Sequence, residues 1–153
     1  MDTVQGVKWL LAGLWLPAVL AAGAVASSSE QGPELAIKGY DTVAYFKLGK
    51  ATRGSESFTF RWHDKTWRFS SREHRDLFAA DPLRYAPQYD GYCAWAMTES
   101  RLAITDPEVW KIVDGKLYLN CSQAAFEKWS RDIPGHIRKA DAVWKEKFEK
   151  QGP

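Results

Sequence analysis

Cysteine and histidine are scarce in this sequence. Its 153 residues include only two cysteines, Cys93 and Cys121, and three histidines. No two histidines lie three or four residues apart, so no helix can present a pair of them to one metal ion. The sequence also lacks a Cys-x-x-Cys pair, a glycine-rich phosphate loop, a His-Glu-x-x-His motif and a Gly-x-Ser-x-Gly motif. No complete catalytic motif is therefore present.

Charge of one sign is not in excess either. The chain has 21 basic and 19 acidic residues, which gives a formal net charge of +2, and the two signs are mixed along the sequence. Nucleic-acid binding usually requires a basic patch or stripe. We therefore expect no nucleic acid among the partners.

Long hydrophobic runs are confined to the N-terminus. Lys8 precedes an apolar run from Trp9 to Ala26, which ends in the small-residue sequence Ala24-Val25-Ala26. Small residues at these spacings fit the cleft of a signal peptidase. One proline and two glycines interrupt the run, which is close to the lower length limit for crossing a bilayer. The sequence predicts a signal peptide at residues 1–26 and a periplasmic or secreted mature chain; a retained membrane anchor and a buried helix are the alternatives.

Aromatic side chains, in contrast, are abundant. The chain has 8 Trp, 6 Tyr and 7 Phe, enough large rings to build the core of a short domain. Residues 27–36 are rich in Ser, Glu, Gln, Gly and Pro, which indicates a flexible leader. Residues 37–149 are then expected to form one folded domain. This length can bury a core without support from a metal or a disulfide.

Capping residues and alternating apolar residues define the elements expected in the first part of the domain. Asp41 can cap a helix, since its carboxylate can accept from free amides of the first turn. Ser70 and Glu73 have the spacing of a capping box. The predicted elements are a helix over 42–47, a hairpin of strands 58–62 and 66–69, a helix from about residue 71, and a short helical turn from Asp81-Pro82 to Tyr85.

The strongest local signal in the second part is Asp114-Gly115, which predicts a hairpin within residues 112–119. Ser122 is expected to cap the following helix. The last helix is expected from Ile137 to about Phe148, after a break at residues 133–135. Residues 89–97 are interpreted as a buried strand or extended loop, and Asp106-Pro107 as the start of a helical turn.

Helices and hairpins alternate without the spacing of βαβ units, which favours an antiparallel sheet. The predicted fold is therefore α+β. It is a small single domain in which two β-hairpins form an antiparallel sheet, packed with several short helices and a longer C-terminal helix. No internal repeat is evident in the sequence.

Several motifs occur in a characteristic order along residues 37–145. They are Gly39-Tyr40-Asp41-Thr42, Asp81-Pro82, Gly91-Tyr92-Cys93-Ala94, the run from Trp110 to Asn120, and Asp132-Ile133-Pro134-Gly135. In these motifs the chain resembles exported proteins of the YHS-domain family. The resemblance covers nearly all of the expected mature chain.

The resemblance implies metal binding, because the shorter YHS modules look like metal-binding units with several cysteines. Aligned on those modules, this chain has Ala44 and Ser70 at two cysteine positions and His74 at a third. Imidazole is a good ligand for copper or zinc. His74 is therefore one candidate metal ligand. Cys93 is the other, because it follows Gly91, where the backbone can approach another group closely. A tyrosine, a carboxylate or water would be the third donor.

The sequence leaves other roles open for Cys93. It can be a buried small apolar residue, a reactive thiol, or half of a disulfide with Cys121. On the loop-entropy model that disulfide would stabilise the fold by about 3.6 kcal/mol.

Three functions follow from these candidates. The leading hypothesis is an exported, non-catalytic binding module of the YHS type that binds copper or zinc. The first alternative is an aromatic pocket near Tyr92 and Trp95 for a small organic ligand or a partner protein. The second alternative is a thiol-dependent enzyme that uses Cys93, with His74 as its base. No membrane contact is expected after signal cleavage, and the oligomeric state is open.

Overall fold

Two hairpins and six helices follow one another along residues 34–149, the part of the chain that the computed structural model describes. The strands are β1 (Glu34–Leu35), β2 (Ser55–Trp62), β3 (Lys65–Phe69), β4 (Asp106–Val113) and β5 (Lys116–Asn120). The helices are α1 (Thr42–Lys47), α2 (Arg72–Ala80), α3 (Pro82–Tyr85), α4 (Ala94–Thr98), α5 (Gln123–Ser130) and α6 (Ile133–Lys147). The α+β class is confirmed. The signal peptide predicted at residues 1–26 lies outside the described residues, and within them no helix is long and apolar enough to cross a membrane.

The two hairpins lie in two separate sheets, whereas the sequence predicted a single antiparallel sheet. One sheet has the order β1-β3-β2, and β4 pairs with β5 alone in the other. β1 runs parallel to β3 and pairs Glu34 with Lys65 and Leu35 with Thr66. Because β1 covers an edge of the first hairpin and Ala36 is buried, the fold includes residues 34–36, which the sequence assigned to the leader.

The N-cap of α2 lies one residue later than the predicted capping box. The Ser71 hydroxyl accepts from the backbone N–H of His74 at 3.1 Å, and Arg72 is the first helical residue. Ser70 does not cap the helix because its hydroxyl donates to Asp41 instead. The α1 prediction, by contrast, is confirmed with Asp41 as the cap.

Three predictions for the second part are wrong. Residues 89–97 form a tight turn, Gln88–Gly91, followed by α4, and not an extended segment. Asp106-Pro107 begins strand β4 instead of a helical turn. Helix α6 starts at Ile133, since a proline in the first helical turn loses no hydrogen bond, and Asp132 caps it by accepting from the Gly135 amide at 3.0 Å.

The described chain consists of two halves, residues 36–85 and 88–147, that have the same order of elements. Each half has a tight turn, a short helix, a hairpin, a serine-capped helix, and a helix that begins after an aspartate. In the first half these are Ala36–Gly39, α1, β2–β3, α2 and α3; in the second they are Gln88–Gly91, α4, β4–β5, α5 and α6. The halves therefore form a structural repeat, although no internal repeat is evident in the sequence.

Backbone angles support the equivalence of the halves. The first turn has φ values of 38°, 53° and 78° at its last three residues, and the second has 57°, 54° and 85°. A tyrosine follows each turn, and Asp81 and Asp132 share nearly the same angles, φ −150° and ψ 77° against φ −151° and ψ 74°. Few equivalent positions of the two halves have the same residue, so the repeat is a property of the backbone.

Each half also has its own apolar core. The first contains Ala36, Val43, Trp67, Phe69, Phe78 and Tyr85; the second contains Tyr89, Ala94, Met97, Tyr118, Trp129 and Ala140. A third cluster joins the halves, because Tyr45 of α1 packs with Leu117 and Leu119 of β5. The buried Tyr45 hydroxyl donates to the Pro107 carbonyl at 2.8 Å, which links α1 to β4. Burial among these groups raises the pKa of the Tyr45 hydroxyl.

Tyr45→Phe should therefore weaken the contact between the halves. The substitution removes the donor to a buried carbonyl, and we expect the free energy of unfolding in urea to fall by about 1–2 kcal/mol. Tyr40→Phe is the matched control, since the Tyr40 hydroxyl bonds Glu108 at 3.3 Å in an exposed position, and the expected change is below about 0.5 kcal/mol. Equal losses in the two variants would contradict this account.

Candidate functional site

The Asp41 carboxylate is fully buried and accepts five hydrogen bonds. Oδ1 accepts from the amides of Val43 and Ala44 at 2.9 and 3.2 Å. Oδ2 accepts from the amide and hydroxyl of Ser70 at 2.8 and 2.6 Å, and from Nδ1 of His74 at 2.6 Å. One side chain therefore caps α1 and ties it to the start of α2.

His74 is held by this carboxylate in one orientation. The Asp41 carboxylate can only accept, so Nδ1 carries a proton, and in the neutral imidazole the Nε2 lone pair remains for another partner. No described residue hydrogen-bonds Nε2, and the side chain is 10% exposed. Ser70 lies beside Nδ1 at 3.3 Å and donates to Asp41, so its hydroxyl is not placed to lose a proton to His74.

Cys93 lies in the second half and is completely buried. Its Sγ accepts from the backbone N–H of Cys121 at 3.1 Å and lies 3.8 Å from Oδ1 of Asn120. Both cysteines are free thiols. Burial raises the pKa of the Cys93 thiol to about 11, and the neighbouring Cys121 thiol also raises it. Cys93 therefore stays protonated at neutral pH and is a poor nucleophile.

Cys93 and Cys121 occupy the positions that Asp41 and Ser70 have in the first half. Asp41 and Cys93 each follow the tyrosine and stand directly before a short helix. Ser70 and Cys121 each stand directly before the cap serine of the next helix. The hydrogen bond from the Ser70 amide to Asp41 has its counterpart in the bond from the Cys121 amide to Cys93.

His74, the third side chain of the site in the first half, has no counterpart in the second half. Ala125 stands where His74 stands in the first half, because each donates its N–H to the serine three residues before it. The second site therefore has two thiols and no imidazole. This difference could not be read from the sequence, because the two halves share too few residues to be aligned.

The structure does not bring His74 and Cys93 together. Each bonds to partners within its own half, and no hydrogen bond joins them. Within residues 34–149, no group of three His, Cys, Asp or Glu side chains is placed to share a metal ion. Ala44 has no donor atom and the Ser70 hydroxyl is engaged by Asp41. The described residues therefore do not fit the cysteine-rich site of the shorter YHS modules.

An open cleft of about 650 Å³ lies in a different place. It is lined by Trp62, His63, Asp64, Leu83, Ala86, Pro87, Gln88, Tyr89, Asp90, Trp144, Phe148 and Glu149. These residues come from the end of β2 and the β2–β3 turn, from α3 and the segment that follows it up to Asp90, and from the end of α6. The cleft therefore lies where the first hairpin meets the C-terminal helix.

Aromatic rings form much of the wall of this cleft. Trp144 lies between Tyr89 and Phe148, with ring centroids 6.0 and 5.8 Å away. Trp62 stacks on His63 at 3.7 Å with an angle of 15° between the planes. Tyr89 is fixed because its hydroxyl donates to Asp141 at 2.8 Å, and burial raises the pKa of that hydroxyl.

The charged residues of the cleft are acidic. Asp64, Asp90 and Glu149 line it, and the described lining residues include neither lysine nor arginine. Asp90 is paired with Lys65, whose Nζ lies 2.5 Å from Oδ2. The cleft therefore combines aromatic faces with a negative rim.

This aromatic cleft is not the one expected from the sequence. Tyr92 lines a smaller cleft of about 170 Å³, while Trp95 packs edge-on against His136 at 5.2 Å. Trp62 and Trp144 were missed because they lie far apart in the sequence, and no local pattern indicates that they line one cleft. Comparison with protein-family models, curated proteins and solved structures gives no match to the chain. The YHS resemblance therefore stays a prediction.

Asp41→Asn should be strongly destabilising. The amide group would turn a donor toward donors of Ser70 and His74, or toward the α1 amides, so a buried polar group is left unpaired in either orientation. We expect the free energy of unfolding to fall by about 3–5 kcal/mol, measured by chemical denaturation. Asp76→Asn is the control, because that carboxylate is 58% exposed and bonds only Arg75, and it should cost less than about 0.5 kcal/mol. Similar losses would show that Asp41 is not the central acceptor.

Proposed function

We propose that this chain is an exported, non-catalytic binding module of the YHS type whose site is the aromatic cleft. Its ligand is a small organic molecule with an apolar body and a positively charged group. The observation that carries the proposal is the combination of aromatic walls and acidic residues around one open cleft. The YHS assignment and export rest on the sequence motifs and on residues 1–26.

The size and lining of the cleft support small-molecule binding. Sites for small molecules usually measure roughly 300–1,000 Å³ and are lined by aromatic and apolar side chains with a few polar groups. The volume of about 650 Å³ is within this range. Leu83 is 78% exposed at the cleft, so an apolar ligand group would cover a side chain that otherwise faces water.

The charge of the ligand follows from the rings and carboxylates. A cation is attracted to the faces of tryptophan and tyrosine because the ring quadrupole is negative there. Asp64 and Glu149 add negative charge, whereas an anion would meet both carboxylates. The lining therefore favours an amine or quaternary ammonium over a carboxylate or phosphate.

A binding role is favoured over a thiol enzyme by the state of Cys93. The thiol is fully buried, and its pKa is raised to about 11, so little thiolate exists near pH 7. A nucleophilic cysteine normally has the opposite properties, with partial exposure and a lowered pKa.

Calorimetric titration with benzyltrimethylammonium tests the cleft. The cation should bind to the wild-type protein, and Trp144→Leu should weaken binding about tenfold because a ring face is lost. Trp95→Leu is the matched control, because this tryptophan lies against His136 and does not line the cleft. The affinity of Trp95→Leu for the cation should equal that of the wild-type protein.

The charge preference needs its own comparison. Benzylsulfonate has the same ring and a negative group, and it should bind at least tenfold more weakly than the cation, since it meets the acidic rim. Equal binding of the two probes, or full affinity in Trp144→Leu, would overturn the proposed site.

One observation favours a second candidate, the binding of Cu(II) or Zn(II) by His74. Imidazole ligands of metals commonly donate their other N–H to a carboxylate, and Asp41 accepts from Nδ1 of His74 in this way. Nε2 would be the protein ligand, with water or a further oxygen donor beside it. Cys93 takes no part, since its neighbours are Cys121 and Asn120.

Titration of the reduced protein with Cu(II) and Zn(II) checks this candidate. His74→Gln should reduce affinity at least tenfold, while Cys93→Ala should have no effect. His63→Gln is the control, because His63 is an exposed turn residue stacked on Trp62. Unchanged affinity in His74→Gln would remove this residue from any metal site.

A further inference from the structure

The second half contains a pair of thiols where the first half has two hydrogen-bonded side chains. In the first half, the Ser70 hydroxyl donates to Asp41 at 2.6 Å, so side chains at these positions touch. Cys121 and Cys93 stand at the same two positions. The shared backbone geometry therefore directs the two sulfur atoms toward each other.

The contacts of the thiols agree with this placement. The Cys121 amide donates to Cys93 Sγ at 3.1 Å, so the backbone of one cysteine lies against the sulfur of the other. Both cysteines pack with Ala96 and Ala125, small side chains that do not separate them. The Cys93 amide also bonds the Ala103 carbonyl at 3.0 Å, which fixes its backbone.

We propose that Cys93 and Cys121 form an intramolecular disulfide by exchange with a low-molecular-weight disulfide such as oxidised glutathione. Cys121 reacts first because it is partly exposed, whereas Cys93 is completely buried. This inference is independent of the aromatic cleft, since neither cysteine lines it.

The exchange has two balanced steps. The Cys121 thiolate attacks one sulfur of the small disulfide, forms a mixed disulfide and releases one small thiolate. Cys93 then attacks the Cys121 sulfur, loses its proton in this step, forms the internal bond and releases the second small thiolate. The two protons lost by the cysteines go to the two leaving thiolates, so the protein loses two electrons and the small disulfide gains them.

A cationic side chain lies near the two cysteines. The Arg101 guanidinium interacts electrostatically with both cysteines and hydrogen-bonds Glu99 at 2.5 Å. A positive group near a thiol stabilises its thiolate. The Arg101 side chain is 59% exposed, so a soluble disulfide can reach it.

The test treats the reduced, folded protein with oxidised glutathione and follows the intact mass. The wild-type chain should lose two hydrogens without retaining a glutathione adduct, and its melting temperature should rise on the order of 10 °C because the crosslink constrains the unfolded chain. A phosphine reductant should reverse both changes.

Single-cysteine variants separate the two steps. Cys93→Ala should keep glutathione on Cys121, because the second thiol is missing. Cys121→Ala should stay unmodified while folded and react only in denaturant, because Cys93 is buried. This variant changes the partly exposed residue, so the test does not depend on the folding of Cys93→Ala. A stable adduct on the wild-type chain, or no reaction at all, would overturn the proposal.

Discussion

The first half depends on a single buried carboxylate. Asp41 accepts five hydrogen bonds and is the point where helix α1, the end of β3 and the first turn of α2 meet. A buried carboxylate is tolerable only when its lone pairs are satisfied, and these donors satisfy them. The same bonds orient His74, so the imidazole that the sequence presented as a metal ligand is first a structural partner. Metal binding by Nε2 would be a second role of His74, in addition to its hydrogen bond with Asp41.

The second half has the same backbone arrangement but different side chains at the equivalent positions. Cys93 and Cys121 replace Asp41 and Ser70, and the amide-to-acceptor bond survives with sulfur as the acceptor. Sulfur is a weaker acceptor than a carboxylate but loses less hydration on burial. The second site can therefore be apolar, and the thiols pack among alanines. One arrangement of turn, strand end and helix start thus supports a charged network in one half and a dithiol in the other.

Local chemistry could be predicted from the sequence, but the meeting of distant segments could not. The cap at Asp41 and the turn at Asp114-Gly115 were found because each depends on neighbouring residues. Strand β1 was missed, since it has only two residues and too little pattern to be recognised. The two-sheet arrangement was missed because the pairing of two hairpins depends on how distant segments pack. The cleft was missed for a related reason. Trp62 and Trp144 lie in different halves and reach one cleft only through packing. His74 and Cys93 were chosen as candidate ligands from separate motifs, which do not determine the distance between the two side chains.

The strained turns also have a structural explanation. Ile37, Lys38, Tyr89 and Asp90 have positive φ values, which usually disfavour residues other than glycine. Such strain often marks a functional site. Here it occurs at equivalent positions of both halves with unrelated side chains, although only the second turn, through Tyr89 and Asp90, lines the aromatic cleft. A functional constraint would be expected to select side chains, whereas a backbone requirement selects only the conformation. In each half the turn places a tyrosine and then a hydrogen-bond acceptor, Asp41 or Cys93, directly before a short helix. The strain is therefore explained by the backbone arrangement that both halves share and that positions the residues of both sites.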